Sequence, residues 1–256
     1  MEGKSVMLES IRENPRFRLR STAPIHHQGS AVVYWMQRSQ RAVDNPALTF
    51  AIEMANVLKK PLWVVFMADP QYPQNQARHW TFMFQGLADT QRRLAAENIP
   101  FVVQIGPMAA GLSRIIHQLN PALVVGDENP LKAPEALRDQ FAANLTCPLV
   151  TVDADVIVPT SLLHKEEFAA RTLRPKIHRL WDEHLLPWED ERPRFQHLLP
   201  ETKASAGSLP AWDDFSKLGI STAAWPVTTF LGGTAAALRR LKEFCEQGLF
   251  QYDKLR

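Results

Sequence analysis

Residues 32–50, VVYWMQRSQRAVDNPALTF, join two different periodicities across a turn. Val32 to Met36 run apolar without a polar break, the pattern of a strand buried on both faces. After Asp44 the apolar positions Ala47, Leu48, Phe50, Ala51, Met54, Ala55 and Leu58 fall at helical spacing. Asn45 stands where an N-cap belongs, and Pro46 takes the first helical position, where its missing N–H costs nothing. A doubly buried strand that turns into a helix is the opening of a βαβ unit, which requires a parallel partner strand.

The same alternation continues. Apolar runs recur at 31–36, 62–68, 101–105, 122–126 and 149–152, and helical patterns occupy 78–97, 109–119 and 135–144. The spacing predicts an α/β fold over 31–160: a doubly wound, five-stranded parallel sheet of Rossmann-like type, preceded by an N-terminal arm at 1–30. A helical and linker extension follows. Residues 161–188 are helical in composition but interrupted by Pro175 and Pro187, and 189–230, with Pro193, Pro200, Pro210 and Pro226, read as linker. The final segment, 231–256, opens with Gly232-Gly233-Thr234 as a cap and carries Leu238, Leu241, Phe244, Cys245 and Leu249 on one apolar stripe.

With 45% hydrophobic and 22% charged residues the 256-residue chain has the composition of a soluble globular protein. A net charge of +2 is too mild to indicate nucleic-acid binding by itself. The arm segment RENPRFRLR (12–20) is locally basic and reads either as a solvated N-terminal arm laid over the domain or as a phosphate-contacting arm. Cys147 and Cys245 fit no metal or redox spacing and are expected as buried thiols in a reducing compartment. No apolar run approaches the roughly 18 residues of a membrane span, and no secretory signal opens the chain, so no membrane contact and a cytoplasmic location are expected. His178 and His184 lie six apart, off a common helix face, so no metal site is expected.

No G-x-G-x-x-G, Walker-type or G-x-S-x-G motif follows any of the strands, which argues against a tightly held dinucleotide or triphosphate and against a serine hydrolase. In an open parallel sheet ligands bind outside the strand carboxyl ends where strand order reverses. With an order 3-2-1-4-5 that point lies between the first and fourth runs. Trp35, Met36 and Arg38 then belong to the rim of a crevice, faced by the loop from Asp127 to Lys132, with Met67 lining one side; ordinary loop chemistry is the alternative. The charged stretch EEFAARTLRPKIHR (166–179) reads as a solvated helix face or as a contact with a neighbouring domain or anionic partner.

Taken in order, NPRFRLR, VVYWMQRSQR, DNPAL, RHWTFMFQGL, PFVVQIG, GDENPLK, VDADVIVP, EFAARTLRPKIH and the terminal GGTAAALRRLKEF carry a resemblance over nearly the whole chain. The chain resembles the N-terminal α/β domain of class II cyclobutane-pyrimidine-dimer photolyases, in the photolyase/cryptochrome family. The resemblance implies an antenna domain that holds a deazaflavin or folate chromophore. It implies FAD only together with a C-terminal helical domain, of which 231–256 looks like the first helix. The repair chemistry of a deoxyribodipyrimidine photolyase, a carbon–carbon lyase, belongs to that second domain, so no catalytic residue is carried over and this chain alone is expected to be inactive.

The cofactor-binding positions so implied are Trp35, Met36, Arg38, Asp44 and Asn45, with Asp127, Glu128, Asn129, Leu131 and Lys132, beside the Met67 placed by topology. This sequence departs from the pattern at Ser39 (usually an acid), Pro46 (Trp), Glu128-Asn129 (Phe-Ser) and Lys132 (Arg). An acid at Glu128 adds charge and removes a stacking surface. The partners implied are a flavin-binding domain or subunit, with DNA contacted only in the full-length context. A chromophore-free module that pairs with itself or with a flavin-domain subunit is the alternative.

Overall fold

The computed structural model describes residues 11–71, 76–196, 215–224 and 226–255. Its elements, in chain order, are β1 (Phe17–Leu19), β2 (Val32–Met36), α1 (Pro46–Leu58), β3 (Leu62–Ala68), α2 (Ala77–Ala96), β4 (Phe101–Ile105), α3 (Met108–Leu119), β5 (Leu123–Asp127), α4 (Lys132–Ala143), β6 (Leu149–Val152), α5 (Ala170–His184) and α6 (Thr234–Glu243). Beyond α6 the backbone stays helical through a π turn, a 3-10 turn and the short Tyr252–Leu255 helix.

The strands lie in the order β1-β6-β5-β2-β3-β4. All neighbours are parallel except β1 and β6. The five strands expected from the sequence thus stand in the doubly wound order, with β2 central and the reversal between β2 and β5. Alternate residues of β2 explain why it is apolar throughout. Val32, Tyr34 and Met36 enter the core under α1 and α2, whereas Val33 and Trp35 enter a second core with residues of α3 and α4.

Asn45 caps α1 as anticipated, its Oδ1 accepting the N–H groups of Ala47 at 3.0 Å and Leu48 at 3.1 Å. Such a cap contributes about 1 kcal/mol. The helix ends at Lys59 in the left-handed conformation (φ 54°), whose N–H returns to the last turn.

The arm lies along the domain and adds a sixth, antiparallel strand to the five expected. FRLR alternates apolar and basic residues, the pattern of an edge strand with one buried face, and Phe17–Leu19 pairs antiparallel with Val150–Val152. Phe17 packs on Phe50 with ring centroids 4.3 Å apart. Arg16 holds the carbonyls of Asp153 at 3.0 Å and Val156 at 2.8 Å, and also that of Ile157. Residues 1–10 of the arm lie outside the described residues.

The segment expected as linker is packed where it is described. Trp188 donates its indole N–H to Thr49 Oγ1 at 3.1 Å, and the Arg194 N–H reaches Asn56 Oδ1 at 2.7 Å, so the chain straps α1. Phe215 is buried and stacks on Phe84 with centroids 6.0 Å apart. Pro200 and Pro210 lie outside the described residues.

Helix α6 is capped from outside. Gly233 (φ 109°) precedes Thr234, and α2 supplies the acceptors: Gln85 Oε1 takes the Gly232 N–H at 2.8 Å and Asp89 Oδ2 the Ala235 N–H at 3.1 Å. A Cβ on Gly232 would run into the carbonyl oxygen of Phe82. The apolar stripe of α6 and the turns after it remains uncovered, with Leu238 49%, Leu241 55% and Leu249 53% exposed. Cys245, in the π turn after α6, is exposed, against expectation, while Cys147 is buried and its thiol is pushed up to about 11 by burial. Among the described residues no helix is long and apolar enough to cross a membrane.

Candidate functional site at the strand switch point

Trp35 pairs with Gly126 in the β2/β5 register, which brings Met36 and Asp127 to the same carboxyl edge of the sheet. Asp127 is 1% exposed and fully engaged. Its Oδ1 accepts the Tyr34 hydroxyl at 2.7 Å, and its Oδ2 accepts the N–H groups of Gln37, Arg38 and Ser39 at 2.8, 2.6 and 3.1 Å. Hydrogen bonds to an ionised acceptor are about twice as strong as neutral ones, so this carboxylate folds the 37–39 turn across the switch point. Burial, reinforced by the Asp127 charge, holds the Tyr34 phenol well above its ordinary pKa, so it is a permanent donor.

Asn45 completes the clasp. Its Nδ2 donates to the Tyr34 hydroxyl at 3.2 Å and to the carbonyls of Ser39 and Arg41, each at 2.9 Å. Asp44 is exposed and left-handed (φ 49°), with its carbonyl held by Arg41 at 2.8 and 3.0 Å and its N–H on Asp190 at 3.2 Å.

The remaining expected residues fall into two groups. Trp35, Met36 and Met67 are buried in the cores. The Trp35 ring meets Phe141 edge-on at 5.5 Å and lies under the Arg138 guanidinium at 5.1 Å, while its N–H bonds Gln37 at 3.1 Å. Met67 fits because residue 111 is glycine; a Cβ there would collide with the thioether methyl. Solvent reaches Arg38, Asn129, Leu131 and Lys132. Arg38 pairs with Asp155 and reaches Asn129 Oδ1 at 3.4 Å, and Ser39 also donates to Asp155 at 3.0 Å. Arg38, Asn129 and Asp155 thus form a polar rim above the clasp.

Glu128 is turned away from that rim. Its carboxylate lies 3.0 Å from Arg20 and 3.6 Å from Arg18. Burial raises its pKa above the usual range, with Arg20 opposing and Glu135 and Asp153 adding to the rise. Arg20, with a side chain 1% exposed, also meets Glu135 and lies 3.0 Å from Asp139 and 2.8 Å from Thr151 Oγ1. Arg138 donates to the Asp127 carbonyl at 2.7 Å and to that of Pro134 at 3.1 Å.

Tyr34, Arg20, Arg138 and Asp155 organise the site and were not among the expected residues. For Arg20 a signal was present, because the alternation in FRLR points every second side chain of that strand to the same face.

Between the tips of β2 and β5 the space is filled by the chain's own 37–39 turn. A cleft of about 1160 Å³ opens beside it, between residues 40–44, α2 at His79, Phe82 and Met83, and α6 at Leu238 and Leu241. Of the expected site residues, Asp44 alone lines it.

Comparison with known proteins completes the description. Residues 32–197 match the DNA photolyase family profile. A deoxyribodipyrimidine photo-lyase from Methanothermobacter thermautotrophicus is 33% identical over 234 residues, 90% of this chain and 50% of the relative. Proteins of the same description from Arabidopsis thaliana (31% over 200 residues, 75% of this chain and 39% of the relative) and Potorous tridactylus (35% over 157 residues, 60% and 30%) also match. The chain spans half or less of the length of these relatives.

Proposed function

As the chain belongs to the DNA photolyase family, we propose that it serves as the antenna domain of a class II cyclobutane-pyrimidine-dimer photolyase, holding a flat light-absorbing cofactor, a deazaflavin or a folate, on the outer side of the 37–39 turn that covers the carboxyl ends of β2 and β5. The observation that carries this reading is the polar rim of Arg38, Asn129 and Asp155 set directly over the strand reversal. The residues fit such a group in a particular way. Arg38 and the Asn129 amide offer polar contacts to the edge of a heteroaromatic ring, and Leu131, 55% exposed, offers an apolar one. Trp35, Met36, Met67, Asn45 and Asp127 act by fixing the strand ends rather than by touching the ligand. The cofactor supplies absorption of light and transfer of its energy to a flavin; the chain's own residues bind and orient it.

FAD and the chemistry that splits the pyrimidine dimer belong, in this reading, to a flavin-binding domain. The 161–188 segment and α6 dock that domain. In support, α5 has no buried residue, and Leu238, Leu241, Leu249 and Phe250 leave a broad apolar face along α6 and the turns after it. DNA contact and repair require the combined protein. Adding a deazaflavin or a folate to the purified chain tests the antenna role: saturable binding with a perturbed absorption band supports it, and unchanged spectra remove it.

The same apolar face favours a second reading, a chromophore-free module that pairs with itself or with a flavin-domain subunit. Sedimentation of the purified chain separates the two. A monomer that binds chromophore supports the antenna, and a dimer that binds none supports the module.

A further inference from the structure

Three acidic residues of the β5–α4 region, Glu128, Glu135 and Asp139, converge on the buried guanidinium of Arg20, with the exposed Arg18 3.6 Å from Glu128 and the buried Arg138 3.9 Å from Glu135 at the margin. Like charges at this spacing repel strongly unless a cation stands among them. Arg20 comes from the chain just past β1, far away in sequence, and it is fixed in place by its N–H on the Leu149 carbonyl at 2.8 Å and its Nε on Thr151. Two N–H groups of the loop follow from this arrangement: Asn129 donates to Glu135 Oε1 at 3.0 Å and Leu131 to the Asn129 side chain at 3.0 Å. The Glu128 N–H, by contrast, continues the β5/β6 ladder onto the Val152 carbonyl at 2.9 Å. The Asn129 N–H thus rests on Glu135, whose carboxylate Arg20 meets directly while Arg18 and Arg138 each stand 3.9 Å away.

We propose that Arg20 is a positioning residue for the switch-point rim: it draws Glu128 and Glu135 toward the edge of the sheet, so that the loop presents Asn129, and not a carboxylate, to Arg38. The proposal deepens the antenna reading and rests on it for its consequence, since an acid swung onto the rim would displace Asn129 and occupy Arg38. It also accounts for how this chain tolerates an acid at position 128, one residue from the rim.

The test compares wild type, Arg20→Gln, Arg20→Lys, Glu128→Gln and the double variant Arg20→Gln/Glu128→Gln. Amide hydrogen exchange at 129 and 131 is read without ligand, and a deazaflavin or folate titration is read alongside. Expected is a roughly tenfold acceleration of those amides in Arg20→Gln, with strand amides of β2 and β3 unchanged, and recovery of most of the protection in the double variant. Chromophore affinity should fall and recover in parallel. A residue that merely packs the edge of the sheet would not be rescued by losing a second charge. Unchanged exchange in Arg20→Gln, or a double variant as fast as the single one, overturns the proposal. If Arg20→Gln does not fold, the double variant decides: a folded chain with loop exchange near wild type supports the assignment, and a double variant that also fails to fold or exchanges fast overturns it, while Arg20→Lys, which keeps the cation, should stay near wild type. Rescue of exchange in a chain that binds no chromophore would sustain Arg20's role while removing the antenna reading.

Discussion

The hydroxyl of Tyr34 donates to the carboxylate of Asp127 across 2.7 Å, and neither side chain meets solvent. This contact ties β2 to β5 where the sheet reverses its winding, and the 37–39 turn hangs from the other oxygen of the same carboxylate. The geometry of the proposed site therefore depends on groups that no ligand touches.

Tyr34→Phe removes one donor to Asp127 and the acceptor for Asn45 while keeping the ring. Leaving such buried partners unsatisfied costs about 1–3 kcal/mol. Chemical denaturation should show a loss in that range with an unchanged slope, and a loss below a few tenths would show the clasp to be incidental.

Asp127→Asn should be more damaging. Either its amide N–H group faces backbone donors or its single oxygen must serve all of them, and bonds to a charged acceptor are each worth about 1.5–3 kcal/mol. We expect a loss of about 3 kcal/mol by denaturation, together with faster exchange of the Gln37 to Ser39 amides.

Glu128→Gln tests the sign of a pH effect. A carboxyl whose folded-state pKa is raised binds its proton more tightly folded than unfolded. Its contribution is therefore fully present below the unfolded glutamate range and lost as pH rises through the folded value. Wild type should lose stability over that interval relative to Glu128→Gln, and the two should converge in acid. A variant less stable than wild type at neutral pH, with the gap closing in acid, would show that the Arg20 ion pair outweighs burial.

Asp89 behaves in the opposite sense. Burial presses its carboxyl upward, but the Ala235 N–H and the charges of Arg93 and Arg92 outweigh it and hold the pKa below the usual value. Its stabilisation is present above the ordinary carboxylate range and disappears as pH falls through the lowered folded value. Asp89→Ala should release the start of α6 at a cost of about 1 kcal/mol, the scale of a lost helix cap, seen as faster exchange at Ala235 and Leu238. Unchanged exchange there would mean that α6 is held by other contacts.

The sheet was legible because β2, β3 and β5 are buried on both faces and so appear as unbroken apolar runs, and because Asn45-Pro46 marks the start of a helix unmistakably. β1 was not, since three residues with interleaved arginines resemble solvated chain until a partner strand is present. Trp35 shows the limit for the site. An aromatic at a strand end suggests a rim, but alternation turns its ring into the α3/α4 core, and only the neighbouring Arg38 comes out to solvent. Asp127 shows another limit, because a carboxylate at a strand tip reads alike whether it serves a ligand or its own backbone.

The most direct test is a titration of the purified chain and of its Arg38→Ala variant with a deazaflavin and with a folate, followed by absorption and fluorescence. The antenna account predicts saturable binding by one of the two to wild type, weakened about tenfold in the variant, the loss of roughly one charged contact. No spectral change at any ratio, or equal affinity in the two proteins, would contradict it.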